Sequence, residues 1–207
     1  MKLQSLECSE KDNELLDVYS ELAEKNGRID QELYGKYNVK RGLRNSDDTG
    51  VLVGLTDIGE VHAYIIDENE KVPVEGQLFY RGLNIADLVR GFQSENRFGY
   101  EECCYLLLFG ELPNRKQLEE FEDLLARHRE LPEGFSMDMI LKAPSKDIMN
   151  NLARSVLASY GFDSNPDDTS IKNVINQSIC LIARMPTMAA YSYQAMEYYH
   201  NKKSLYI

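Results

Sequence analysis

The stretch from Phe98 to Pro113, FGYEECCYLLLFGELP, sets the fold class. An unbroken apolar run from Cys103 to Phe109 follows two acidic residues and stops at Gly110, with Pro113 just beyond. This order predicts a short, well-buried helix that opens near Gly99 and ends at Phe109, because acidic residues favour a helix start and glycine a helix stop. The run is far shorter than the ~20 residues that cross a bilayer. Neighbouring Cys103 and Cys104 sit in this run as small core residues and are assigned no chemistry.

Helices also dominate on the carboxyl side. Asn114 with Gln117 forms a capping-box pattern ahead of QLEEFEDLLARHREL, and Ser145 is placed to cap DIMNNLARSVLASYG, which ends at Gly161. The loop FDSNPDDT leads into the longest segment, from Ser170 to about Asn201. Its apolar residues wrap most of a helical wheel, so burial on more than one face is expected. Pro186 lies inside it and is expected to kink the helix without ending it. Ala189, Ala190 and Ser192 leave room for a close neighbour, while Tyr191, Tyr193, Tyr198 and Tyr199 add broad amphipathic contacts.

On the amino side the pattern changes. VLVGLT (51–56), VHAYII (61–66) and VEGQLFY (74–80) are β-branched and aromatic segments separated by polar turns, which predicts a small antiparallel sheet near residues 50–80. Asn84 is placed to cap IADLVRG. Ser9 with Asp12 marks the start of a first helix of about fifteen residues that Asn26-Gly27 stops. The fold class is therefore mainly α, with a helical arm over 1–48 and a larger helical domain over 49–207.

The chain has 207 residues, 43% of them hydrophobic, enough for a packed core. With 34 acidic and 23 basic residues its net charge is −11. A phosphate backbone or an anionic lipid surface is thus a poor partner, so neither nucleic acid nor membrane is expected. The four cysteines, at 8, 103, 104 and 180, form no CxxC pair and no zinc-ligand spacing with the three histidines. Reduced thiols in a cytoplasm fit this usage, and the acidic amino terminus has no secretory h-region.

No GxSxG, phosphate-loop or dinucleotide glycine pattern occurs. Each histidine has a structural reading: His62 alternates within a strand, His128 lies between two arginines on a polar helix face, and His200 sits near a helix carboxyl end. Glu101-Glu102 and Glu119-Glu120-Glu122-Asp123 read as solvated helix faces. One basic cluster, Lys36, Lys40, Arg41 and Arg44, stands out against the acidic average and has the composition to take a phosphate, with a solvated loop as the plainer reading.

Several blocks resemble the citrate synthase family, especially its bacterial citrate and 2-methylcitrate synthases. In order they are Lys40-Arg-Gly-Leu-Arg44 ahead of TGVLVGLT, then FYRGLNIADL (79–88), then FGYEECCYLLLFGELP, then ARMPTMAAYSY (183–193). The resemblance spans roughly residues 40 to 200. It implies a helical large-domain segment of a homodimeric enzyme that condenses acetyl-CoA with oxaloacetate to citrate and CoA. One histidine and an aspartate would enolise the thioester, a second histidine would polarise the ketone, and acetyl-CoA would be a substrate with no cofactor required.

The family's histidine segments, resembling HADHE and GPLHGGAN, do not occur in this sequence, and Lys142 to Met149 (KAPSKDIM) departs from the family's His-Pro-Met turn. The resemblance therefore implies the front part of such an enzyme, inactive alone, with no catalytic residue assigned. Arg41 is the one binding residue it carries over, as a contact to the CoA phosphates. The helices near 146–160 and 170–200 match those packing across the family's dimer interface. The alternative is a naturally short, noncatalytic helical protein that keeps the dimer surface for association or regulation.

Overall fold

The computed structural model describes residues 9–39, 52, 54–68 and 70–206. Helix α1 spans Glu10–Asn26, α2 Glu32–Lys36, α3 Ile85–Ser94, α4 Tyr100–Phe109, α5 Arg115–Arg127, α6 Ile148–Ser159 and α7 Ile171–Asn201. Strands β1 (Gly59–Asp67), β2 (Glu70–Tyr80) and β3 (Leu83–Asn84) form one antiparallel sheet in the order β1-β2-β3. The protein is mainly helical with one small sheet, as the pattern predicts. The chain divides into two compact units, Met1–Ser20 with Glu119–Ile207, and Glu21–Leu118. The arm boundary expected at 48/49 lies outside the described residues.

Capping decides where the helices begin. Ser9 Oγ accepts from Asp12 N at 3.2 Å while Asp12 Oδ2 accepts from Ser9 N at 3.3 Å, the reciprocal pair of a capping box. Asn114 and Gln117 make the same exchange at 2.8 and 3.0 Å ahead of α5. Asn84 Oδ1 accepts from Ala86 N to start α3. Ahead of α6 the structure corrects the expected cap: Asp147 holds it, accepting from Asn150 N, while Ser145 Oγ accepts from Asp147 N one step earlier. A carboxylate facing helix amide groups is a stronger acceptor than a hydroxyl. Helix α6 then ends at Ser159 and a 3₁₀ turn, Tyr160–Phe162, carries the chain past Gly161.

The sheet differs from expectation in one strand. Leu52 and Gly54–Thr56, the described residues of VLVGLT, are not in a strand, and the third strand is Leu83–Asn84 instead. Leu83 is brought back antiparallel to Tyr80 because Arg81 and Gly82 both take positive φ, which reverses the chain in two residues. β1 is exposed along its full length, so its β-branched residues did not need a covering layer to specify the strand.

In the Glu21–Leu118 unit, Leu88, Tyr105, Leu106 and Phe109 are buried, with the Tyr105 and Phe109 rings edge-to-face at 4.7 Å. Gly110 closes α4 at φ 81°, the left-handed conformation a side chain resists. A Cβ there would stand 2.8 Å from Asn26 Cβ, and Asn26 Nδ2 donates to Phe109 O at 2.8 Å. Gly110→Ala is therefore expected to destabilise by roughly 1–3 kcal/mol from backbone strain and displacement of Asn26. A urea midpoint that stays at the wild-type value would show that neither constraint operates.

In the other unit, Phe135, Ile140, Leu141, Met188 and Ala195 form a core cluster bordered by Leu152, Phe162 and Tyr191. Ile140 and Leu141 reach it from a π-helical turn, Ser136–Leu141, that the sequence pattern does not disclose. Tyr19 meets Phe121 edge-to-face at 5.9 Å, joining the front of α1 to α5. Helix α7 runs 31 residues through Pro186, about 46 Å at 1.5 Å per residue. Six of its seven buried residues form two stripes, Ile175, Ile179 and Ala183 before the proline and Met188, Ser192 and Ala195 after it, while buried Glu197 returns to the first face. At about 100° per residue these stripes lie roughly half a turn apart, so the helix does bury two faces. Buried Ser155 and Ser192 fit apolar surroundings because each hydroxyl donates to the carbonyl four residues earlier.

Candidate functional site

One concavity lies within the unit formed by Met1–Ser20 and Glu119–Ile207. It is a cleft of about 250 Å³ between the carboxyl end of α6, the 3₁₀ turn with its following loop, and the first half of α7. Ser159, Tyr160, Asp163, Gln177, Cys180 and Arg184 line it. Gln177, Cys180 and Arg184 share a face because α7 places residues three and four apart one above the other. Gln177 Nε2 donates to Asp163 Oδ2 at 2.8 Å and to Pro166 O at 3.3 Å, which ties the loop to the helix. Asp163 Oδ1 accepts from Asn165 N, so this carboxylate is held in place from both sides.

Against Cys180 stands His128, buried at 5% exposure. Its Nδ1 lies 3.8 Å from Cys180 Sγ and its Nε2 3.8 Å from Asp12 Oδ2. The expectation of a polar helix face is thus overturned: α5 ends at Arg127, and the next residue turns inward toward α1 and α7. Burial lowers the His128 pKa, with the cations Arg184 and Arg127 adding to it and Asp12 opposing. Burial therefore favours the neutral imidazole.

Asp12 is itself buried at 4% exposure. Its Oδ1 accepts from Arg127 Nη2 at 2.5 Å and Nε at 3.2 Å. Burial acts to raise its carboxyl pKa, but the hydrogen bonds from Arg127 and Ser9 and the Arg127 charge outweigh it, and the net shift is downward.

The other candidates do not gather here. Arg41, Lys40 and Arg44 lie outside the described residues. Lys36 stands over the Tyr37 ring at 5.4 Å from its centroid. His62 Nε2 meets Glu60 Oε1 at 2.6 Å on an exposed strand, and His200 lies in the last turn of α7. Glu102 accepts both terminal nitrogens of Arg97, at 2.9 and 3.2 Å, and so forms an ion pair where a solvated face was expected. Arg81, from the FYRG block, is 8% exposed and engaged with Asp57 Oδ1 at 2.8 Å and Leu107 O at 3.2 Å, a structural tie. Among the described residues no group of three or more His, Cys, Asp and Glu side chains is arranged to hold a metal ion, and no helix is long and apolar enough to cross a membrane.

Sequence reasoning missed the Asp12, His128 and Cys180 row. Its only local signal is Asp12 as a capping residue, since the three positions are separated by more than fifty residues at each step.

Helices α6 and α7 also carry large apolar side chains that face solvent: Met149 and Leu157 on α6, and Ile171, Val174, Tyr193 and Tyr199 on α7. The two helices pack against each other.

The family model described as "Citrate synthase, C-terminal domain" matches residues 45–206. A citrate synthase of Saccharolobus solfataricus is 32% identical over 159 residues, which are 77% of this chain and 36% of that protein. A 2-methylcitrate synthase 1 of Corynebacterium glutamicum is 28% identical over 153 residues, 73% of this chain and 34% of that one. The chain thus spans about a third of the length of these relatives. The crystal structure of citrate synthase from Pyrobaculum aerophilum aligns with a TM-score of 0.57 at 24% identity, covering 77% of this chain and 40% of that one, a likeness in fold.

Proposed function

Because this chain belongs to the citrate synthase family, we propose that its residues form the early helical part of an enzyme that condenses acetyl-CoA with oxaloacetate to give citrate and CoA. The observation that carries this reading is the family match across residues 45–206, supported by the mainly helical fold with a small antiparallel sheet. Residues 1–48 serve as an arm and 49–207 as the first part of the large domain. Arg41 contacts the CoA phosphates, and the protein is cytoplasmic, with no cofactor needed.

These 207 residues do not turn over by themselves. Enolising a thioester needs a base positioned beside the methyl group and a donor at the carbonyl oxygen. The histidine segments that resemble HADHE and GPLHGGAN are not in this sequence. His62 pairs with Glu60, and His128 faces Asp12 and Cys180. Dimerisation is retained, through the solvent-facing residues of α6 and α7.

The test is CoA release from acetyl-CoA and oxaloacetate, measured with the chain alone and with a polypeptide carrying the rest of the Saccharolobus solfataricus relative. Turnover is expected only with the added polypeptide, and Arg41→Ala should then raise the KM for acetyl-CoA. Citrate formation by the chain alone would overturn the assignment of inactivity. No turnover in a complex shown to assemble would overturn the citrate-forming reading. Light scattering reports on the dimer separately: a mass near twice 23.8 kDa is expected, and a persistent monomer would reject that surface.

A further inference from the structure

We propose that Cys180 is a thiol-modification site, at which His128 accepts the thiol proton and Arg184 recruits an anionic low-molecular-weight disulfide, so that Cys180 becomes a mixed disulfide. This goes beyond the citrate-forming reading and does not depend on it.

Three independent features meet at Cys180, which lines the cleft. The first is a nucleophile beside a base: Cys180 Sγ and His128 Nδ1 are 3.8 Å apart, a sulfur hydrogen-bond distance. The second is a group that orients the base. Asp12 Oδ2 lies 3.8 Å from His128 Nε2, which favours the tautomer with its proton on Nε2 and leaves the Nδ1 lone pair toward the thiol. Asp12 is fixed by Arg127 and Ser9, so the row is anchored at its far end. Asn176 Oδ1, at 3.9 Å, is a second and weaker acceptor for the thiol.

The third feature is Arg184, one helical turn beyond Cys180 and on the cleft wall. Among the described residues it makes no hydrogen bond or ion pair, and its Nε is buried without a partner. A partly buried guanidinium left open in a concave site is a receptor for a carboxylate, which it can grip with two parallel donors. Asp163 on the opposite lining can meet an ammonium. The ligand class is accordingly a small zwitterionic disulfide with excess carboxylates, of which glutathione disulfide is an available example.

The step balances without any further reactant. Cys180 Sγ–H passes its proton to His128 Nδ1 and the thiolate attacks one sulfur of the ligand disulfide. The ligand S–S bond breaks as the new S–S bond forms, and the departing thiolate takes the proton from His128 Nδ1. Cys180 is oxidised to the disulfide level and one half of the ligand is reduced to a thiol.

Cys103 and Cys104 supply an internal comparison, since both are partly buried thiols on α4. Burial pushes both thiols up, with Glu102 adding to the effect at Cys103 and Glu101 at Cys104. Neither is expected to compete, because the thiolate is the reacting species.

The experiment uses the full chain with Cys8→Ser, glutathione disulfide at neutral pH, and peptide mass mapping over time. Cys180 is expected to be modified at least about tenfold faster than Cys103 or Cys104. Arg184→Gln should slow the reaction with glutathione disulfide while leaving that with the uncharged 2-hydroxyethyl disulfide unchanged, and His128→Asn should slow both. Equal rates at the three thiols would overturn the proposal without any variant being needed. An Arg184→Gln protein that loses rate equally with both disulfides would overturn the recruiting role. Activity in the citrate assay is irrelevant to either outcome, so failure here and failure of the enzyme reading are told apart.

Discussion

Phe135→Ala is expected to lower stability by about 3–5 kcal/mol, the range for removing a large aromatic from a core that cannot fully collapse. Phe135 has no exposed surface and packs against Ile140, Leu141, Met188 and Ala195. Its ring meets that of Phe162 at 5.3 Å and 63°, an edge contact that alanine also removes. It joins the π-helical turn, the end of α6 and the second half of α7, so its loss loosens three elements together. For a chain of this size the same change corresponds to a Tm drop of roughly 6–20 °C. Phe135→Leu keeps most of the volume and should cost far less. If the alanine variant unfolds within about 1 kcal/mol of wild type in urea, this cluster is not the core of its unit.

Asp12→Asn is expected to cost about 2–4 kcal/mol at pH 7, because it leaves Arg127 without its carboxylate and disturbs the Ser9 cap. The partial exposure of Arg127 places the effect below that of a fully buried pair. The pH dependence carries a sign. The folded-state pKa of Asp12 is lowered, so its contribution is present above the unfolded value near 3.9 and is lost as pH falls through the lower folded value. The gap between wild type and variant should therefore narrow on acidification below about pH 4. His128 acts earlier. Its pKa is also lowered, so below about 6.5 the unfolded chain binds a proton that the folded chain refuses, and stability declines in both proteins. A wild-type-to-variant gap that stays constant from pH 7 to 3 would show that Asp12 is not held by Arg127.

Several parts of the fold are legible in the chain because they are local. Ser9 and Asp12, Asn114 and Gln117, and Asn84 are caps whose partners lie within three residues, and all three form as expected. Gly110 ends α4 for a reason contained in its own backbone. The cap of α6 fell to Asp147 and not to Ser145 because two competing acceptors lay within three residues of each other, and only geometry chose between them. VLVGLT has strand composition but no partner strand among the described residues, whereas Leu83–Asn84 is too short to show a period and pairs because a two-residue reversal places it there.

The sequence by itself determined the helical class, most helix starts and the family, since caps, apolar periods and ordered blocks are written within short windows. Tertiary structure alone decided that the main buried face of α7 changes across Pro186, that His128 turns inward, and that Asp12 and His128 form a row behind Cys180, which lines one cleft with Arg184. Those relations join residues far apart along the chain, and no local energy term relates them until helices α1, α5 and α7 have packed.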